Sequence, residues 1–261
     1  MEPANSPEDF VTLCKGLVSD GARGILISGG CDADGSILDL KEYLPAIREA
    51  HEMGLIIKLH TGLVDRGTAE SIAEAGVDIA SMEMVGEAGT VEHIFGIGAS
   101  PEDYLATFRA LRDGGIPHIC PHVCVGLHDG ELKGELKAVE MLASHIRIST
   151  LAIIVLRPTK GTVLENLAPP TGGEVKKVVS HARALLPDTK IILGSLRPRA
   201  SLESRFDIEL GALDGGVDGI EVPSNELLAE AGRRGLEIRR IEAYGVLPVE
   251  YEERVRTSTL D

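Results

Sequence analysis

Polar side chains gather at one end of otherwise aliphatic runs in this chain, and they are the groups able to do chemistry. In order they are Ser28-Gly29-Gly30; Lys58, His60 and Thr61; Ser81 and Glu83; His122 through His128; Arg157-Pro158; Ser195 with Arg197; and Glu221 with Ser224. Where strands alternate with helices, ligands and catalytic groups lie at the C-terminal ends of the strands. A Ser-Gly-Gly stop leaves a bare backbone that another molecule can approach closely. Lys58 and the arginines of two Leu-Arg-Pro triplets, Arg157 and Arg197, would meet an anionic group, although each arginine could equally pair with a loop acid. The proline after each arginine holds the arginine backbone extended.

Metal ligation has several candidate patterns. In PHICPHVCVGLHDG, His118, Cys120, His122 and Cys124 fall at alternate positions, so a regular strand would put them on one face. They would span roughly 20 Å, so at most an i, i+2 pair could share an ion. Pro121 is expected to bulge the strand and break the alternation. Cys120 and Cys124 lack the spacing, and the second pair, of a zinc knuckle. Cys31, Asp32 and Asp34 resemble the start of a calcium loop, but Tyr43 stands where the loop's closing acid belongs. A pocket lined by histidines, with no metal ligands, is the expectation. A divalent-metal hydrolase or lyase using His60, Glu83 and His122 stays open as an alternative.

The elements that must position these groups repeat one unit: a helix-period segment, a glycine, then a short aliphatic run. DGARGILISGG, EMGLIIKLHTG, EAGVDIASMEMVG, DGGIPHICPHVCVGL and DGGVDGIEVPS follow it, and LAIIVLRP and KIILGSLRP alternate with helices in the same way. Glycine suits the left-handed residue just past a helix end, and continuous aliphatic runs suit strands buried on both faces. SPEDF and SPEDY each supply a Ser N-cap, a Pro at the first helical position and an Asp at the third. Seven strands alternating with helices predict a parallel α/β sheet, a (β/α)8 TIM-type barrel with the first strand missing. Residues 1–261 are expected to form one domain, with EIRRIEAYG outside the ring and 242–261 as a C-terminal tail.

Composition excludes other classes. A formal charge of -15, an aromatic content of 3% and no Trp argue against nucleic acid, which calls for clustered cations and stacking platforms. The run LAIIVL is far too short to span a membrane, and the start MEPANSPEDF is polar. Four cysteines in a chain of this size do not read as a disulfide framework, and a cytoplasmic location is expected.

Taken together, ILISGG, VCVGLHDG and LRPTKGT resemble the radical S-adenosylmethionine superfamily, in particular its biotin-synthase-related branch, the neighbour of the two-component lipoyl synthases. The resemblance runs from about residue 6 to 241. It implies S-adenosylmethionine and a [4Fe-4S] cluster as cofactors, and a radical that abstracts hydrogen from a small-molecule or acyl-chain substrate. Sulfur insertion of the lipoyl type and a protein partner subunit are further implications. By position, Ser28, Gly29 and Gly30 would form the turn that meets the methionyl amino group, and Ser81 or Glu83 would contact ribose or substrate. Gly126 lies on the strand that in biotin synthase carries an auxiliary-cluster ligand, while Arg157 and Pro158 would lie near the adenine and sulfonium. Lys58, His60, Thr61, His122, His128 and Arg197 would line the substrate pocket. The family's Cys-x3-Cys-x2-Cys loop is not in these residues, and MEPANSPEDF resembles the stretch that commonly follows it. The expectation is that strand and loop are encoded upstream of Met1. A cluster-less barrel binding S-adenosylmethionine or a partner subunit is the alternative.

Overall fold

Helices begin where the sequence writes Ser-Pro-Glu-Asp. In the computed structural model, which describes residues 2–199, 201–243, 246–255 and 257–260, Ser6 accepts from the Asp9 amide at 3.1 Å. Ser100 and Asp103 close a reciprocal capping box. In chain order the first elements are α1 (Pro7–Ser19), β1 (Gly24–Ile27), α2 (Leu40–Glu52), β2 (Ile56–His60), α3 (Arg66–Glu74) and β3 (Ile79–Ser81). A short turn α4 (Ala88–Thr90) runs into a π-helical turn (Val91–Phe95), followed by α5 (Pro101–Asp113), β4 (His118–Ile119) and β5 (His122–Val125). Then come α6 (Glu135–His145), β6 (Thr150–Val155), α7 (Gly172–Leu185), β7 (Lys190–Leu193), α8 (Leu202–Gly215) and β8 (Gly219–Ile220). The last are α9 (Asn225–Arg233), β9 (Ile238–Ile241), α10 (Val249–Glu252) and β10 (Thr257–Leu260).

Two compact units result. The first holds residues up to Met82 together with Ile97–Cys120, and the second holds Glu83–Gly96 together with the chain from Pro121 on. The first unit's sheet runs β1-β2-β3-β4, all parallel, with Leu26 opposite Lys58 and Lys58 opposite Ile79. The second unit's sheet runs β5-β6-β7-β8, also all parallel, with His122 opposite Ala152. Helices between successive parallel strands make the fold class α/β of the TIM-barrel type. β9 pairs antiparallel with β10 and belongs to neither parallel sheet, as expected of EIRRIEAYG.

The PHICPHVCV run yields two strands, not one. Pro121 has no N–H to give, so β4 ends before it and β5 restarts after it; the Cys120 amide still donates to Ala80 O and Pro121 O accepts from the Ala152 amide. His118 and Cys120 therefore belong to the first unit, and His122 and Cys124 to the second. The single strand face read from their alternation is not formed.

The cores are aliphatic. Ile57, Leu59, Ile72 and Leu111 are fully buried around one sheet, and Val125, Leu142, Leu151 and Ile153 around the other. Each such side chain contributes about 1.5–3 kcal/mol. α8 has no apolar stripe, yet it packs closely on α7, because glycine lets the two backbones meet. A Cβ at Gly211 would fall 2.0 Å from Gly172 O, and one at Gly172 would fall 2.1 Å from Asp207 O. Gly211→Ala is accordingly expected to cost about 3 kcal/mol, the upper end for overpacking, read as a lowered urea midpoint with unchanged slope. Among the described residues no helix is long and apolar enough to cross a membrane.

Candidate functional site

In the first unit, β1 ends at Ile27, and Ser28 leads into an exposed Gly29-Gly30 pair. Neither glycine adopts a left-handed φ. A Cβ at Gly29 would make only ordinary contact with Ile37 at 3.5 Å, and one at Gly30 would press the mobile end of Leu38 at 3.1 Å. By contrast, Gly62, two elements on, has φ 61° and would drive a Cβ to 2.5 Å from Gly35 O. Backbone geometry requires glycine at 62 and does not at 29 or 30, so the bare surface of 29–30 is free to face a ligand.

β2 and β3 carry the neighbouring polar groups. His60 stands opposite Ser81 in the ladder, and the buried Thr61 amide donates to Ser81 O at 3.2 Å. The Ser81 hydroxyl donates to Cys120 O. Burial, reinforced by the Lys58 ammonium two residues away, pushes His60 down to about 4. His60 is thus a neutral imidazole at neutral pH, suited to hydrogen bonding and unsuited to holding a proton. Lys58 itself is buried on the same strand. Ser28–Gly30, Lys58, His60, Thr61 and Ser81 all lie at C-terminal halves or ends of this unit's strands.

In the second unit, Glu83 pairs with His122 across a parallel bridge, and the Met84 amide donates to His122 O at 2.8 Å. The Glu83 carboxyl takes a hydrogen bond from the Cys124 amide, while its Oε1 is sealed from solvent and has no partner among the described residues. Burial pushes Glu83 up to about 7, against that one hydrogen bond. Its proton is therefore exchangeable near neutrality, the property of a general acid or base or of a carboxyl awaiting a ligand hydroxyl. A second carboxyl, Glu135 at the start of α6, is buried and takes the Gly126 amide at 2.8 Å, and burial raises its pKa too. Gly126 turns with φ 74°, and a Cβ there would fall 2.3 Å from Pro170. No sequence pattern marked Glu135; only the fold brings it beneath the Gly126 turn.

His128 is tied into the loops. Its Nδ1 lies 3.1 Å from Thr90 Oγ1 and its Nε2 lies 3.1 Å from the Lys133 ammonium. Lys133 can only donate, so Nε2 is the acceptor of that contact. Arg157 is exposed just past β6, and Pro158 is half-buried beside it. Arg197 departs from the pocket expected for it. It is fully buried, giving Nη1 to Gly194 O at 2.6 Å and Nη2 to Glu209 Oε1 at 2.6 Å and Glu221 O at 2.7 Å. It pairs with an acid, but one on α8 that the sequence did not single out.

The residues present do not fit an iron–sulfur cluster. Cluster ligation needs several converging thiolates. Cys14, Cys120 and Cys124 are buried and Cys31 is exposed, and all four are free thiols. Burial pushes Cys14 up to about 11 and Cys124 well above the ordinary thiol range. Among the described residues no group of three His, Cys, Asp or Glu side chains is placed to hold a metal ion.

No protein-family model matches the chain. It is similar to the biotin synthase of Halorhodospira halophila, with 30% identity over 169 residues, covering 63% of this chain and 50% of the relative. The match to the biotin synthase of Desulforudis audaxviator is 25% over 222 residues, 84% of this chain and 64% of the relative. The chain thus spans about half to two thirds of the length of these relatives. In fold it is similar to the FeFe-hydrogenase maturase HydG from Carboxydothermus hydrogenoformans, with a TM-score of 0.63 at 17% identity, covering 90% of this chain and 60% of that one.

Proposed function

We propose that this chain, which belongs to the biotin-synthase-related branch of the radical S-adenosylmethionine superfamily, binds S-adenosylmethionine through the Ser28-Gly29-Gly30 turn. The observation that carries this is the exposed glycine pair, which neither backbone φ nor packing calls for. Bare amides there can approach the amino and carboxylate end of the cofactor. What this chain's own residues do is hold and orient. Neutral His60, in the same unit as the turn, offers a hydrogen bond without a competing charge, while the buried Thr61 and Ser81 hydroxyls donate to Gly62 O and Cys120 O and hold the strand ends in place. The substrate is read as a small molecule or acyl chain, with sulfur insertion into an octanoyl chain as the specific proposal.

Isothermal titration of the purified chain with S-adenosylmethionine tests the reading. Saturable binding is expected, and Gly29→Val should weaken it by about tenfold or more while leaving thermal unfolding unchanged, because a side chain at 29 meets only Ile37 at 3.5 Å. Gly29→Val binding as well as the unsubstituted chain would refute it. The buried, protonated thiols favour a second reading, a barrel that binds the cofactor without ligating a cluster itself. Anaerobic reconstitution with iron and sulfide should then leave this chain without cluster absorption even though it binds S-adenosylmethionine.

A further inference from the structure

The loop after β7 carries a cationic cluster that its acids do not saturate. Arg197, Arg199 and Arg205 stand close enough that burial first, and then the Arg199 and Arg205 charges, pull Arg197 below the ordinary guanidinium range, with Glu209 opposing. Both Glu209 oxygens are taken. Oε1 accepts from Arg197 at 2.6 Å and Arg205 at 3.0 Å, and Oε2 accepts from the Ser224 amide at 2.9 Å and hydroxyl at 2.5 Å. Glu221 is turned to the Ser195 amide at 2.6 Å. Arg199 is left over. It gives Nη2 to Ser195 O at 2.6 Å, makes no ion pair among the described residues, and keeps a buried Nε with no acceptor. The fold holds Arg199 half-buried in the loop that leaves the C-terminal end of a parallel strand, the side on which such folds bind ligands.

A buried donor without an acceptor is expensive unless something completes it. A planar guanidinium matches a planar anion bidentately, and the Arg199 Nε is the donor that such an anion would complete. We propose that Arg199 is a carboxylate-binding residue, receiving the carboxylate of a bound small molecule. Arg199 belongs to the second unit and the Ser28-Gly29-Gly30 turn to the first, and this proposal stands independently of the reading above. Two small molecules that carry such a group, S-adenosylmethionine and octanoate, serve as probes.

Titration calorimetry on the full chain compares them. One pair of probes is S-adenosylmethionine and its decarboxylated form; the other is octanoate and octanamide. In one pair the unsubstituted protein is expected to prefer the carboxylate by about tenfold or more, with Arg199→Gln erasing the preference and Arg199→Lys retaining part of it. Without ligand, Arg199→Gln should unfold at the same temperature or higher, since it removes an unsatisfied group, whereas a purely structural prop for Ser195 would unfold lower. A preference absent from both pairs, or one that survives in Arg199→Gln, overturns the proposal. Loss of S-adenosylmethionine binding in the unsubstituted chain, with an octanoate preference that depends on Arg199, would reject the cofactor reading and leave this one standing.

Discussion

Glu83→Gln is expected to be more stable than the unsubstituted protein by about 3 kcal/mol at pH 8.5, with the gain shrinking to nothing as pH falls toward 4.5. The carboxyl titrates near 4.5 when unfolded and at about 7 when folded, because burial penalises its anion. Below 4.5 it is protonated in both states and costs nothing. Between the two values folding must take up a proton, and above about 7 the folded state must bury an anion, so stability falls as pH rises through this window. Glutamine has no such anion and can still accept from the Cys124 amide. The check is a series of urea unfolding curves against pH for both proteins; parallel curves would mean that Glu83 is not the buried proton holder.

Glu209→Gln is expected to cost about 3–5 kcal/mol, because it leaves Arg197 fully buried without its counter-charge. Arg205 and Ser224 lose the same anchor. The cost includes the strand-end loop that the cluster holds. Val222 there has φ 47°, unfavourable for a β-branched residue, and its carbonyl accepts from Arg197 at 3.1 Å and Arg205 at 2.7 Å. Denaturant unfolding reads the loss, and replacing both Arg197 and Glu209 by apolar residues should recover most of it. A cost under about 1 kcal/mol for Glu209→Gln would put the pair on the same footing as a surface bridge. Burial alone would raise Glu209, but Ser224, Arg197 and Arg205 more than offset it and hold the carboxyl below its ordinary range. Its contribution is therefore present above the unfolded value of 4.5 and is lost as pH falls through the lower folded value.

Much of this protein is legible from residues near one another in the chain. Ser6 and Ser100 start helices because a hydroxyl three residues before a free amide is a local geometry, and Pro and Asp reinforce it at both places. The aliphatic runs after glycine became parallel strands because burial on both faces is a property of composition alone. Strand-end positions of the chemistry-bearing residues followed from that alternation, and so did the exclusion of EIRRIEAYG from the parallel sheets.

Partnership between distant residues was not legible in the same way. The Leu-Arg-Pro triplets look equivalent in sequence, yet Arg157 is exposed and Arg197 is sealed against Glu209, twelve residues on along the chain. α8 has almost no apolar face to announce it, since the positions it turns toward α7 are glycines whose value lies in what their absent side chains would strike. Glu83 and Glu135 carry ordinary carboxyls in any local window, and only folding strips their water and raises their proton affinity. Periodicity and capping act within a few residues and are written into the chain; desolvation and pairing act through space, and they come into being only when the backbone has brought the groups together.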